Sequence, residues 1–315
     1  MDMNLEQLRG FVCVAELGHF TRAAEKLHLA QPSLSRQIST LEQELGAELF
    51  HRARGHISLT AAGETLLPRA QRMLAEAESI KDEMGELAGL RRGRVRLGAT
   101  PTLCISLVAE AISAFHQAHP EVELHLTESG SRLLVEQLAV GALDMALITT
   151  AEGAPVTGVS LTRMPLLSEE LVVVSSAVRP PVEMEPTVDL EQLAALPLIA
   201  FDESYELRAT MDAAFRAAGL SPKPVLEGAE MDAVLRFVER GLGVAVVPAM
   251  VLLDRPTLRS TRLSHPQMTR TVSLAHRSDV NPAVASAAMR RVIVSTAADV
   301  ADRDPAIKSL VGASG

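Results

Sequence analysis

The chain has 315 residues, a formal net charge of −9, 47% hydrophobic side chains and 3% aromatics, with no tryptophan and one tyrosine. Its length suits about two domains, each with a real core. The acidic balance excludes a polyelectrolyte that coats phosphates with Lys and Arg, and the scarcity of aromatics excludes a single-strand binder built on stacking platforms.

Asn4 opens a first helix, with Gln7 placed to return its bond as in a capping box. Leu8, Phe11, Val12 and Ala15 form its apolar face, and Gly18 ends it. Cys13 reads as a small buried hydrophobe of this helix. Thr21 is expected to cap a short helix, Arg22 to Leu27, with Ala23, Ala24 and Leu27 inward. His28 to Gln31 turn tightly, and Pro32 leads a helix that stops at Gly46. Leu34, Ile38, Leu41 and Leu45 lie on one face of that helix. Ser33, Arg36, Gln37 and Thr40 form a second face of short hydrogen-bonders and one Arg, where a merely solvated face would carry Glu and Lys pairs.

Two short helices with a four-residue turn match helix-turn-helix geometry. The second would enter the major groove, and its N-terminal amides favour a phosphate. Leu49 to Thr60 reads as a β-ribbon turning at Gly55, with Arg52 and Arg54 near the tip, placed for the DNA backbone or minor groove. Spacing alone also allows a trihelical domain with a hairpin and no DNA role.

The run FTRAAEKLHLAQPSLSRQISTLEQELGAELFHRARGHISLTAAG resembles the winged helix-turn-helix of LysR-type transcriptional regulators. The resemblance rests on the AA-x-x-L-H-L-A-Q-P-S-L-S-R-Q-I core, the L-E-x-E-L-G-x-x-L-F-x-R segment and the closing L-T-x-A-G. It implies that Gln31, Pro32, Ser35 and Arg36 approach DNA, with Arg52 or Arg54 from the wing. The polar-face argument adds Ser33 and Gln37.

From Ala61 to Leu90, Leu66, Ala70, Met73, Ala77, Ile80, Met84 and Leu87 alternate spacings of four and three, an a/d seam of about three heptads. A long helix pairing with another helix is expected, bent or begun near Pro68; the alternative is a helix packed on its own domain. In LysR-type proteins this segment is the linker helix that joins two subunits. Residues 1–60 hold six Lys or Arg against seven Asp or Glu, a poor electrostatic binder as one copy. Two copies on a two-fold axis would read a palindromic duplex with half-sites about 34 Å apart, or a multiple of that.

Leu90 to Arg94 is a basic break, taken as a hinge. Val95 to Ala99, Glu121 to Glu128 and Met145 to Thr149 read as strands, with helices up to His119 and from Leu133 to Gly141 between them. A second unit follows from about Glu170, with strands at LVVVSS, LIAF, PVLEG and GVAVVP and helices at Leu190 to Leu196, Leu207 to Ala218 and Met231 to Gly241. TVSLA and a helix from Pro282 to about Ala298 would return to the first unit. This alternation predicts a mostly parallel sheet in two subdomains with a cleft between them. Ligands in such sheets bind beyond the strand carboxyl ends. That rule selects Thr100, Thr102, Ser129, Ser131 and Thr149 on one wall, with Phe201 and Asp202 on the other. The hydroxyls and helix amides suit an anion, typically a carboxylate. Helix capping is the plain alternative for each.

The resemblance extends over roughly residues 4–300. It implies an N-terminal α winged helix-turn-helix over 1–60, a linker and dimerisation helix over 61–90, and an α/β periplasmic-binding-protein-like effector domain over 91–300, its second subdomain about 170–267. Residues 301–315 are expected as a loose tail. The dimer seam would comprise Leu66, Met73, Ala77, Ile80, Met84 and Leu87. The implied partners are double-stranded DNA, a small effector, a second copy in a homodimer or homotetramer, and RNA polymerase. Thr102 and Ser131 match positions that meet the effector in some members of the family.

An α/β enzyme, or a small-molecule binder without DNA binding, is the main competitor. The chain carries no G-x-S-x-G, P-loop, HExxH or GxGxxG after a strand. No metal or cofactor is expected: Cys13 and Cys104 lack CxxC spacing, and the His residues are scattered. The opening MDMNLEQLRGF has no signal-peptide pattern, and the longest apolar run, Leu242 to Leu253, is broken by Pro248. A cytoplasmic regulator with no membrane contact is the expectation.

Overall fold

The computed structural model describes residues 3–53, 56–87, 93–151, 161–180, 186–203 and 205–311. Residues 1–93 with 136–143 form one unit, and 94–135 with 144–315 form another.

In the first unit, α1 (Leu5–Leu17) begins with the capping box: the Asn4 and Gln7 backbone amides each donate to the other's side chain at 2.9 Å. Gly18 ends α1 in the left-handed region, at φ 66°. The expected cap at Thr21 is not made. α2 (Phe20–Lys26) begins earlier, with His19 at its N-cap and Thr21 inside the first turn. The His19 carbonyl already accepts from Ala23 N–H, so the helix starts almost directly after Gly18. His28, at φ 54°, makes the turn into α3 (Gln31–Leu45), which carries Pro32 in its first turn and ends at the left-handed Gly46.

β1 (Phe50–Ala53) and β2 (His56–Leu59) form the antiparallel ribbon. α4 (Ala61–Leu87) follows without a break at Pro68, and the Thr60 hydroxyl accepts from Gly63 N–H at its start. A Cβ on Gly63 would lie 2.3 Å from the Leu49 carbonyl oxygen, so the first turn of α4 admits only glycine there. Leu8, Phe11, Leu34, Ile38, Leu41 and Phe50 fill the core, and Ala70 of α4 closes it.

The second unit begins with β3 (Arg94–Ala99) and α5 (Pro101–Leu103). The helix continues through a π-helical turn, Cys104–Val108, into α6 (Ala109–Ala118). β4 (Glu123–Glu128), α7 (Ser131–Ala139) and β5 (Met145–Ala151) complete this lobe's first pass. Ser131, selected as lying beyond a strand end, is the first residue of α7. β6 (Leu161–Ser176) is sixteen residues long and carries the chain into a second lobe. That lobe holds β7 (Thr187–Val188), α8 (Leu190–Ala194), β8 (Ile199–Phe201), α9 (Glu206–Ala217), β9 (Leu226–Ala229), α10 (Met231–Glu239), β10 (Ala245–Pro248) and β11 (Leu258–Leu263). β12 (Thr269–Arg277) returns to the first lobe, followed by α11 (Val284–Ala301) and β13 (Ile307–Ser309).

The main sheet runs in the order β4-β3-β5-β12-β6-β11-β7. β3 is parallel to β4 and β5, but β12 is antiparallel to both β5 and β6, and β10, β11 and β13 are antiparallel to β6. The expectation of a mostly parallel sheet is thus corrected to a mixed one. β6 leaves the first lobe and β12 comes back, so the crossing strands must oppose each other. The opening half of β6 carries no strand pattern in the sequence because Pro165 interrupts it; the register shifts there, and a proline is tolerated at such an irregularity.

The tail is also corrected. α11 runs to Ala301, and β13 pairs with Leu167 to Glu169 of β6, with Ile307 buried in the core. A single buried Ile and a three-residue strand are too short to stand out by periodicity. Residues 312–315 lie outside the described residues, as do 88–92, where most of the expected basic hinge falls. No helix among the described residues is long and apolar enough to cross a membrane.

Candidate functional site

α3 buries Leu34, Ile38 and Leu41 and leaves Gln31, Pro32, Ser33 and Arg36 exposed, with Ser35 and Gln37 half-buried. The outward face is therefore the polar one the spacing selects. Its N-cap is Ala30, which makes no side-chain bond, so the helix start lacks a capping side chain and suits a phosphate. Thr40 is turned back on its own helix, donating to the Arg36 carbonyl at 3.0 Å. The Gln37 side-chain oxygen is buried without a partner among the described residues, so only part of this residue faces outward. Ser33, Arg36, Gln37 and Thr40 line one wall of a groove of about 740 Å³ whose other wall is the first turn of α1. Arg52 is placed in β1 by its backbone alone, and Arg54 lies outside the described residues.

α4 splits the predicted seam. Leu66 packs partly buried against the core of its own domain, so it is corrected from a partner-facing to a domain-facing residue. Further along, Met73, Ile80 and Met84 are 44%, 53% and 54% exposed, with Ala77 half-buried between them. Leu87 is placed by its backbone alone. The first turns of α4 serve the domain core, and beyond them Met73, Ile80 and Met84 are apolar and exposed among the described residues.

The strand-end residues converge in the second unit. Thr100 and Thr102 follow β3 and are only 5% and 4% exposed. Neither hydroxyl has a hydrogen-bond partner among the described residues, and Thr100, at the N-cap of α5, makes no capping bond. β3 lies between β4 and β5, with Ala99 at its end opposite Glu128 of β4 and Leu147 of β5, so Thr100 follows a strand end flanked by both. Ser129 is tied in through its backbone, donating to the Ala99 carbonyl.

Ser131 and Thr149 meet directly: Thr149 N–H donates to Ser131 Oγ at 3.1 Å. Glu206, from the other lobe, joins them, accepting from Ser131 N–H at 2.9 Å and from the Thr149 hydroxyl at 2.9 Å. Phe201 is corrected: it is a core residue of the second lobe, and its ring stacks on Tyr205 at a centroid distance of 5.2 Å. Asp202 is half-exposed beside it.

Tyr205, Glu206 and Glu128 are the site residues that sequence reasoning missed. An acidic residue in the first turn of a helix reads as an ordinary dipole complement, and nothing local shows that Glu206 bonds 75 residues away. The Tyr205 hydroxyl donates to Glu230, and burial together with that bond raises its pKa. Cys104 lies beside the same strand ends; burial and Glu128 push its thiol up to about 12. Among the described residues no group of three His, Cys, Asp or Glu side chains could hold a metal ion.

Comparison with known proteins matches both units. Residues 5–64 fit the family described as bacterial regulatory helix-turn-helix protein, lysR family, and residues 88–298 fit the LysR substrate binding domain. An uncharacterised HTH-type transcriptional regulator, YybE of Bacillus subtilis, is 34% identical over 87% of this chain and 92% of its own length. A probable nitrogen assimilation transcriptional activator of Synechococcus elongatus is 32% identical over 86% and 88%. A full-length OxyR variant from Pseudomonas aeruginosa superposes with a TM-score of 0.68 at 26% identity, covering 96% of this chain and 98% of that one.

Proposed function

Since the chain belongs to the LysR family of bacterial transcriptional regulators, we propose that Gln31, Pro32, Ser33, Ser35, Arg36 and Gln37 of α3 read its DNA target. It is a DNA-binding transcriptional regulator with an effector-binding domain. The observation that carries the assignment of α3 is its exposed polar face, which ends at a helix start with no capping side chain. Two copies joined along Met73, Ala77, Ile80 and Met84 present two such helices to a palindromic duplex, and Arg52 and Arg54 are assigned to the same DNA contact. Dimerisation supplies the basic contacts that one acidic chain lacks.

The effector enters between the lobes, against Thr100, Thr102, Ser131 and Thr149. β6 and β12 join the lobes, so a bound effector shifts the lobe angle by its differential affinity for the two arrangements. The shift is read out as a change in DNA bend. The relatives named above are transcriptional regulators, and this reading assigns the chain no catalytic step. Its DNA target puts its work in the cytoplasm.

A footprint of the full chain on the duplex upstream of its own gene tests the reading. It should show two protected half-sites on one face of the duplex. No protection, at any salt that keeps the protein folded, overturns the DNA assignment. Identical footprints and bend with and without an effector that stabilises the protein overturn the mechanism alone.

A further inference from the structure

Glu206 is the first residue of α9, yet its carboxylate belongs to the opposite lobe's binding groups. One oxygen accepts the Ser131 amide, and the other accepts the Ser131 hydroxyl at 3.2 Å and the Thr149 hydroxyl at 2.9 Å. The Ser131 amide is the first of α7, the position at which helix amides and dipole best hold an anion. The chain's own carboxylate therefore takes the place a carboxylate ligand would want. A second anion there would face Glu206 in a partly dry site, where like charges repel more strongly than in water.

Two further carboxylates border the same place. Glu128 ends β4, and Glu230 is the N-cap residue of α10, bonded to the Tyr205 hydroxyl. The Glu128 charge contributes to raising both the Cys104 thiol and the Tyr205 phenol, so it reaches groups on both lobes. Among the described residues no Lys or Arg forms an ion pair with Glu128, Glu206 or Glu230. The neighbouring Arg208 is committed to the Phe201 carbonyl, Asp212 and Glu227. Independently, the Thr100 and Thr102 hydroxyls, just past the β3 end that pairs with Glu128, are buried and unpartnered among the described residues, so each can accept from a ligand donor as well as donate. Tyr205, stacked on Phe201, adds a flat ring suited to a cation or a planar group.

Resting on the reading of the interlobe cleft as the effector site, we infer that the effector carries a positively charged donor group, of the amidinium, guanidinium or ammonium class, received by Glu206 and Glu128. The carboxylate expected from the strand-end hydroxyls alone is disfavoured, because Glu206 already occupies the Ser131 amide and the Ser131 and Thr149 hydroxyls.

Benzamidinium and benzoate have nearly the same shape and opposite charge, and titration calorimetry of the full chain with each separates the possibilities. The wild type should bind benzamidinium and not benzoate. Glu206→Gln should weaken benzamidinium by at least about tenfold, and Glu206→Ala should gain benzoate at the vacated Ser131 amide, with circular dichroism confirming the fold of each. Benzoate binding to the wild type as tightly as benzamidinium, indifference to Glu206→Gln, or binding of neither probe would overturn the inference. Thr102→Trp fills the strand end. Benzamidinium binding that survives it overturns the cleft reading itself, whereas charge-blind binding that it abolishes overturns only the charge preference.

Discussion

Glu169 and Arg270 face each other where β6 and β12 pair, with Arg270 Nε donating to Glu169 Oε1 at 2.9 Å. The other Glu169 oxygen accepts the Met250 amide at 3.0 Å, so one almost wholly buried carboxylate ties both crossing strands to the second lobe. Removing one partner of a buried pair strands the other charge. Glu169→Ala should therefore cost about 3 kcal/mol or more, seen in thermal denaturation as a fall in Tm of about 6 °C or more. A fall under about 2 °C would mean that water or another group replaces the carboxylate.

Arg36 is exposed on α3 and makes no contact that the domain core needs. Arg36→Ala should lose about 1–3 kcal/mol of discrimination for the target duplex. Gel retardation against target and random duplex measures the loss, and circular dichroism and oligomeric mass should be unchanged. Equal retention of the target by variant and wild type would move the recognition surface off this helix.

Salt dependence bounds the contacts. Two copies of residues 1–60 hold twelve Lys and Arg (twice six), so the slope of log affinity against log salt should be no steeper than about −11, at about 0.9 per phosphate neutralised. A steeper slope would require basic residues from elsewhere in the chain.

Met73, Ile80 and Met84 leave apolar surface open on α4. Charges placed in a helix–helix seam are buried without partners when the seam closes. The double substitution Ile80→Glu with Met84→Glu should yield single chains by light scattering, while the N-terminal domain keeps its fold. An unchanged mass would show that the copies join elsewhere.

Cys104 is held at about 12, first by burial and then by Glu128. The thiol is thus almost entirely protonated at neutral pH. Millimolar peroxide should leave Cys104 unmodified by mass spectrometry and leave DNA retention unchanged. Rapid sulfenic acid formation there would show that the cleft opens enough to solvate the thiol.

The pattern of the N-terminal domain was legible because its information is local. Asn4 with Gln7, Pro32 at a helix start, and Gly18 and Gly46 at helix ends each act within one turn of the chain. Gly63 shows where this stops. The motif contains it, but its reason is the Leu49 carbonyl, fourteen residues back. The split of the seam at Leu66 is of the same kind: periodicity marks an apolar face without saying which neighbour covers it.

In the C-terminal domain the alternation of strands and helices was local and readable, whereas strand direction was not. A strand carries the same residues whether its neighbour runs with it or against it, and only the return of β12 beside β6 decides. The amino-acid order alone determined α3 with its polar face, the apolar stripe on α4 and the strand ends that carry hydroxyls, because caps, periodicity and turn residues act over a few positions. The tertiary structure alone decided that Glu206 sits on Ser131 and Thr149, that Glu169 meets Arg270 and that Ile307 joins the core. Each of these pairs groups far apart in sequence, and only the folded chain brings them within hydrogen-bonding or van der Waals distance.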